Sequence, residues 1–448
     1  MTTIQKRLLG AIFCLLLLFI FLASTAYTID ITFRTEIVRW LTGCRVLLLI
    51  TGCAFLCTLG GTLVRDVDLL AIIVSGIILV GAVAGLFGMG GWPTYLRHGF
   101  QYGFILVFYL IGRHVARIGI RPWQMNLACV TAIVGYAIST VIYALTPGLQ
   151  SGAYSFQPDL ALLPLSYNYS AAMSAASGFL IVIGNKRAVF VGACFCLAAL
   201  TILAISRRTN VLRFPIREGA ILALTPVITV LAASILSATQ IPMLGMVANR
   251  FSAEPSFIDA NTKKVLTSPP LPASPGRPQG GSTGPATSPP DRQQGTTEQV
   301  ENNTERMVRL TSARNIEAEA VWNLIKSAPI GVLVGAGFGA GFEMKYTSPN
   351  DYQPVSFWRD QADVMPVHIA MTSGLPLAIL FSIALFVTFS RMFLRLAQLV
   401  DIDRAVVLFS LSIPLDLVLG FTATNPIIWS SIGYAAMRTL GTGAQLKT

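Results

Sequence analysis

Long apolar runs decide what this chain can fold into. They lie near 8–29, 41–63, 68–87, 100–118, 124–146, 161–184, 188–205, 217–238, 365–390 and 404–424, with a shorter one at 426–440 behind Pro426. A helix needs about 20 mostly apolar residues to cross the hydrocarbon core of a bilayer. These stretches lack the polar face of a helix lying on a globular core, so they read as spanning helices. The first run is long, carries no A-x-A-like cleavage site and precedes many similar segments. It therefore reads as an anchor rather than a signal peptide. Charged residues make up only 12% of the chain, against about 25% in a soluble protein. That is too little to cover a water-facing surface, and it argues against a soluble enzyme or a nucleic-acid binder. The expected fold class is an all-α, polytopic integral membrane protein with about 10–12 transmembrane helices and one large extracytoplasmic loop.

The net charge of +11 is unevenly placed. Residues 239–364 hold 12 of the 21 acids and 11 of the 32 bases, so the remainder carries 21 bases against 9 acids. Short cytoplasmic loops and anionic headgroups account for such an excess. Lys6 and Arg7 put the first end in the cytoplasm, and Arg113, Arg117 and Arg121 mark a second cytoplasmic site. Arg207, Arg208, Arg213 and Arg217 mark a third, and Arg391, Arg395 and Arg404 a fourth. The long segment between the last two is then extracytoplasmic. Three runs separate 112–121 from 206–217, although two loops on one side need an even number of crossings. The stretch 147–184, with Pro147, Pro158 and Pro164 and a small, polar middle, is where a broken or re-entrant helix is expected. The seven cysteines lie in or beside apolar runs without a CxxC pair and read as small hydrophobes.

Three parts follow: an N-terminal helix bundle over 1–238, a loop over 239–364 and C-terminal helices over 365–448. Within the loop, residues 267–296 contain 8 Pro and 5 Gly and read as an extended linker. From Glu298 to Lys326, Met307, Leu310, Ile316, Val321, Trp322 and Ile325 recur at roughly helical spacing, predicting an amphipathic helix. The glycine-rich stretch from Pro329 to Gly341 is too short for a secure span and reads as a tight turn or re-entrant loop. It lacks the Gly-Lys-Ser/Thr of a phosphate-binding loop, so nucleotide binding is not expected. Glu343, Asp351, Asp360 and Asp363 are too irregularly spaced to suggest a metal site.

Three histidines are present. His114 sits among arginines, where a solvated or lipid-facing role suffices, and His98 is placed in a short loop beside Arg97. His368 stands where the long segment meets the next span, and a neutral imidazole there could accept a proton from a hydroxyl; a capping or interfacial role is the alternative. Lys186 and Arg187 run against the positive-inside tendency, which phosphate binding would explain. Arg309 and Arg314 could clamp an anionic headgroup from the loop side, or simply lie on a solvated helix with Glu317 and Glu319.

In order, these features resemble the O-antigen polymerase and O-antigen ligase superfamily of bacterial polysaccharide assembly. The resemblance rests on Asn185-Lys186-Arg187-Ala188 at a span start and on Arg314 and Trp322 in the late loop. It rests also on Gly335-Ala-Gly-Phe-Gly339 and on His368-Ile369-Ala-Met-Thr-Ser-Gly374 opening the next span. In motifs it is confined to 184–190 and 309–376. Ile369 stands where the family has Asn, and the Pro-rich insert is unusual for it. The resemblance implies transfer of a glycan from undecaprenyl diphosphate to an acceptor hydroxyl, at the periplasmic face of the bacterial inner membrane, with no cofactor and no metal. It implies Arg187 and Arg314 for the diphosphate and His368 for the acceptor hydroxyl. Arg309, Lys186, Gly337, Gly339, Trp322 and Trp358 would bind substrate. It also implies a chain-length regulator and a flippase as partners, and no nucleic acid. Polymerisation of lipid-linked repeats is the leading expectation; a ligase, or a transporter of a lipid-linked sugar, is the alternative.

Overall fold

The computed structural model describes residues 1–33, 36–88, 91–145, 158–168, 170–184, 187–206, 213–235, 303–327, 330–347, 354–399, 401–414 and 424–440. The Pro-rich 267–296 and Lys186 lie outside them. Among the described residues the first part holds nine α-helices: α1 (Thr3–Phe33), α2 (Ile37–Leu59), α3 (Leu69–Phe87), α4 (Trp92–Ile118), α5 (Pro122–Leu145), α6 (Leu162–Tyr167), α7 (Ala171–Gly184), α8 (Arg187–Ser206) and α9 (Arg213–Ile235). Then come α10 (Asn303–Ser327), a single turn α11 (Gly331–Val334) and a hairpin of β1 (Phe342–Thr347) and β2 (Pro354–Arg359). The chain closes with α12 (Met365–Ser373), α13 (Leu375–Arg395), α14 (Asp401–Ser412) and α15 (Pro426–Leu440).

Among the described residues, seven helices are long and apolar enough to cross a membrane, so this is a polytopic helical membrane protein. Six of the seven lie on the first five and the seventh and eighth expected runs or overlap them closely, with α4 as the exception; the seventh starts at Leu375. The expected run 365–390 is broken in two, because Gly374 takes φ +90° and its missing Cβ leaves room for the Leu333 carbonyl. The run 161–184 is also broken: Asn168 adopts a left-handed conformation (φ 48°) that ends α6 before α7 begins. A 14-residue α7 covers about 21 Å and falls short of a crossing. Among the described residues between the two basic loops, α5 and α8 are the helices long and apolar enough to cross, an even number.

α4 organises the bundle. Its 27 residues reach about 40 Å, with polar groups at both ends. At its basic end, Asp68 caps α3 by accepting from the Ala71 amide (3.1 Å), and it also accepts from Tyr109 Oη (2.7 Å) and from Arg113. The fully buried Asp66 pairs with His114 Nδ1 (3.2 Å) and Arg117 (3.1 Å). His114 is thus a packed member of an ion-pair network rather than a solvated or lipid-facing side chain. α15 lies along α4 so closely that a Cβ at Gly112 would overlap the Ser430 carbonyl, and one at Gly433 the Tyr109 carbonyl. Cys44, Cys129 and Cys196 are buried, while Cys14, Cys53, Cys57 and Cys194 are exposed on helices; all seven are free.

The expected amphipathic helix is α10. Val321 packs with Phe342, Met344, Ala362 and Met371 in a small second core, which joins α10 to the hairpin and to α12. The hairpin was not foreseen. It pairs Phe342 with Arg359 through to Thr347 with Pro354 in antiparallel register. The described residues thus form the expected all-α membrane architecture, with a two-stranded ribbon among the loops.

A candidate functional site where the loop meets the helix ends

The glycine-rich strap Gly331–Gly341 is laid across the ends of α3 and α4 that lie opposite the basic network. Arg97 and Arg117 are 20 residues apart on α4, or about 30 Å, one hydrocarbon thickness. Backbone contacts set the placement. The Phe338 amide donates to the Gly81 carbonyl (2.8 Å), and the Ala336 amide to the Met371 carbonyl (2.7 Å). Gly337 has φ +84°, and a Cβ on it would strike the backbone of Gly85. Glycine is required there by conformation and by space together.

Two histidines sit beneath this strap. His98 is on α4, not in a loop, and is fully buried. Its Nδ1 accepts from the Gly339 amide (3.2 Å), so its Nε2 bears the proton of the neutral ring and donates to the Asp360 carbonyl (2.7 Å). His368 is fully buried too, rather than at the mouth of a span, because α12 turns it inward. Its Nδ1 accepts from the Ala362 amide (3.3 Å). The two rings meet edge to face at 5.0 Å, and Tyr102 stacks on His368 at 5.9 Å. Tyr102 Oη in turn shares a hydrogen bond with Thr372 Oγ1 (2.9 Å). Neutral His368 with Nδ1 so engaged carries its proton on Nε2. In this arrangement it is a donor that can orient a hydroxyl or meet an anionic oxygen, not the proton acceptor expected from its position in the sequence.

A charged rim surrounds the strap. Asp360 pairs with Arg97 and lies near Thr94 Oγ1 (3.5 Å), while Gln101 Nε2 donates to Gln361 Oε1 (3.2 Å). Partial burial pushes the Asp360 carboxyl up, but the hydrogen bond and charge of Arg97 outweigh it and hold the group below its usual range. Arg359 bridges Glu317 on α10 (3.1 Å) and Asp363 (2.6 Å), and Asp363 donates its amide to the same Glu317 oxygen (2.9 Å). Burial disfavours the Arg359 cation, yet Asp363, Glu317 and Asp360 together raise its pKa. Trp358 is exposed (69%) beside Gly341, and Trp92 (66%) packs edge-on against Tyr95 at 5.3 Å.

Of the residues singled out from sequence, His368, Gly337 and Gly339 come together here, with Trp358 on the rim. Trp322 lies on α10 with Lys326 Nζ 4.6 Å above its ring. Arg187 opens α8, and Arg309 and Arg314 lie on α10. Sequence reasoning missed His98, Arg97, Tyr102, Phe338, Asp360 and Arg359 as members. The contact from His98 to Asp360 spans 262 positions, and nothing local announces it. Among the described residues, no three or more His, Cys, Asp or Glu side chains gather where a metal ion could be held. No protein-family model, curated protein or solved structure matches the chain.

Proposed function

We propose that this protein polymerises undecaprenyl-diphosphate-linked oligosaccharide repeats by glycosyl transfer at the periplasmic face of the bacterial inner membrane. The observation that carries the reading is the docking of the Gly335–Gly339 strap, the charged rim and the His368 helix onto the ends of α3 and α4. Groups of this kind at a lipid boundary would suit a donor whose glycan is presented on a polyprenyl chain. In the reaction an acceptor hydroxyl attacks the anomeric carbon, and the bond from that carbon to the diphosphate breaks. The electron pair leaves with the diphosphate, and the hydroxyl proton passes to the leaving group or to water. Arg187 and Arg314 are assigned to the developing diphosphate charge, the usual role of guanidinium groups at such oxygens. His368 is assigned to orienting the acceptor hydroxyl. Trp358 offers an exposed aromatic face to a sugar ring.

The test is full-length protein in proteoliposomes with lipid-linked repeats. Longer lipid-linked products support polymerisation. Transfer to a second acceptor would make it a ligase, and movement across the bilayer without a new linkage a transporter. Arg187→Ala, Arg314→Ala and His368→Gln should leave abundance unchanged and abolish polymer; normal chains from all three would remove the assignment. Co-purification with a chain-length regulator or a flippase would test the partners.

A further inference from the structure

A second feature lies at the opposite end of the bundle. α1 packs against α2 and α5, and a gap lies between α1 with the start of α5 on one side and α4, α14 and α15 on the other. The gap is a cavity of about 630 Å³, lined by Met1, by α1 residues from Lys6 to Ile20 and by Ile111, Trp123, Leu163, Val406 and Tyr434 among others. Its walls are mostly apolar, and among the described residues the charged side chains on it are Lys6 and Arg121. Both are exposed at the basic end, and no carboxylate of the described residues lines the space. From Lys6 to Ile20 the wall runs about 21 Å along α1, some two-thirds of the hydrocarbon thickness. Phe13 meets Trp123 edge to face at 5.6 Å, which fixes the start of α5, and so Arg121, beside the first turns of α1. Gly10, one turn beyond Lys6, leaves the cleft open, for a Cβ on it would meet nothing within 4 Å.

We infer that this cleft is a binding site for an anionic phospholipid, with one acyl chain lying along α1 and the phosphate between Lys6 and Arg121. A narrow apolar channel ending in two cations and no anion matches a long hydrocarbon chain with a negative head, and it gives a zwitterionic lipid no partner for its positive group. The site is independent of the proposed glycan chemistry and stands at the other membrane face.

The experiment is native mass spectrometry of the full chain in detergent, titrated with phosphatidylglycerol, phosphatidylcholine or polyprenyl phosphate. One phosphatidylglycerol per chain is expected, retained well after phosphatidylcholine has left. Lys6→Ala with Arg121→Ala should weaken it about 30-fold, the loss of two cations near a phosphate. Gly10→Leu fills the cleft without touching the cations and should also weaken it, while leaving helicity and elution volume unchanged. Equal retention of the two phospholipids overturns the inference, as does full affinity in both variants. Tighter binding of polyprenyl phosphate than of phosphatidylglycerol overturns the phospholipid assignment.

Discussion

Replacing His98 by Ala should release the strap from the membrane helices while leaving the bundle folded. The imidazole satisfies a buried amide, Gly339 at 3.2 Å, and a partly buried carbonyl, Asp360 at 2.7 Å. Leaving a buried donor without its partner costs about 1–3 kcal/mol, and the partly buried carbonyl adds about 1 kcal/mol, so the range is about 2–4 kcal/mol. The lost ring also vacates space beside His368 and Phe338, 5.0 and 6.1 Å away, adding to the penalty. The cost falls on local docking, since α4 keeps its packing against α15, α3 and α2. Hydrogen exchange reads it directly at the amides of Ala336, Phe338, Gly339 and Ala362, whose acceptors are Met371, Gly81, His98 and His368. At the lower end of the range these amides should exchange about 30-fold faster, with the interior of α4 unchanged. Unaltered exchange at Ala336, Phe338 and Ala362 would refute the idea that His98 holds the strap down.

Three further outcomes follow from the geometry. Gly433→Leu would drive a side chain into the Tyr109 carbonyl, so it should cost about 1–3 kcal/mol or more and lower the unfolding temperature in detergent, whereas Ile383→Leu on an exposed face should not. Arg359→Met removes the cation facing the buried Glu317 and Asp363; a loss of about 2–3 kcal/mol should appear as faster proteolysis between α10 and α12. Because the Asp360 carboxyl is held below its ordinary value, its contribution to docking is complete above about pH 4 and is lost as pH falls through the lowered value. Arg97→Gln should therefore flatten the acid limb of strap exchange, and an unchanged limb would count against the pair.

How much of this was legible in the sequence depended on distance along the chain. Apolar runs are local, so α1, α2, α3, α5, α8 and α9 follow from hydropathy, and α10 from its spacing. The breaks at Asn168 and Gly374 are set by single backbone angles; Pro147, Pro158 and Pro164 hinted at the first, and Gly374 with Pro376 two residues on marked the second within an otherwise apolar run. The strap was readable as a turn because glycines at 335, 337 and 339 share positive φ. Its partner was not, because His98 reaches Asp360 and Gly339 across more than two hundred positions. His368 was chosen for its place at a boundary, and its inward rotation depends on α12 ending after nine residues. The hairpin went unseen because its strands are six residues each; β1 does alternate, with Phe342 and Met344 buried and Glu343 exposed, but β2 begins with Pro354 and does not, so no paired signal stood out.

The short helix α7 also acts on the bilayer around it. Its 14 residues leave about 9 Å of a normal hydrocarbon thickness unmatched, and Phe179 faces outward from it. Because α7 ends short of a crossing, headgroups or neighbouring helices have to reach inward to its end to satisfy the backbone there. The membrane would then carry a shallow dimple on one flank, drawing headgroups inward there and favouring shorter-chained neighbours.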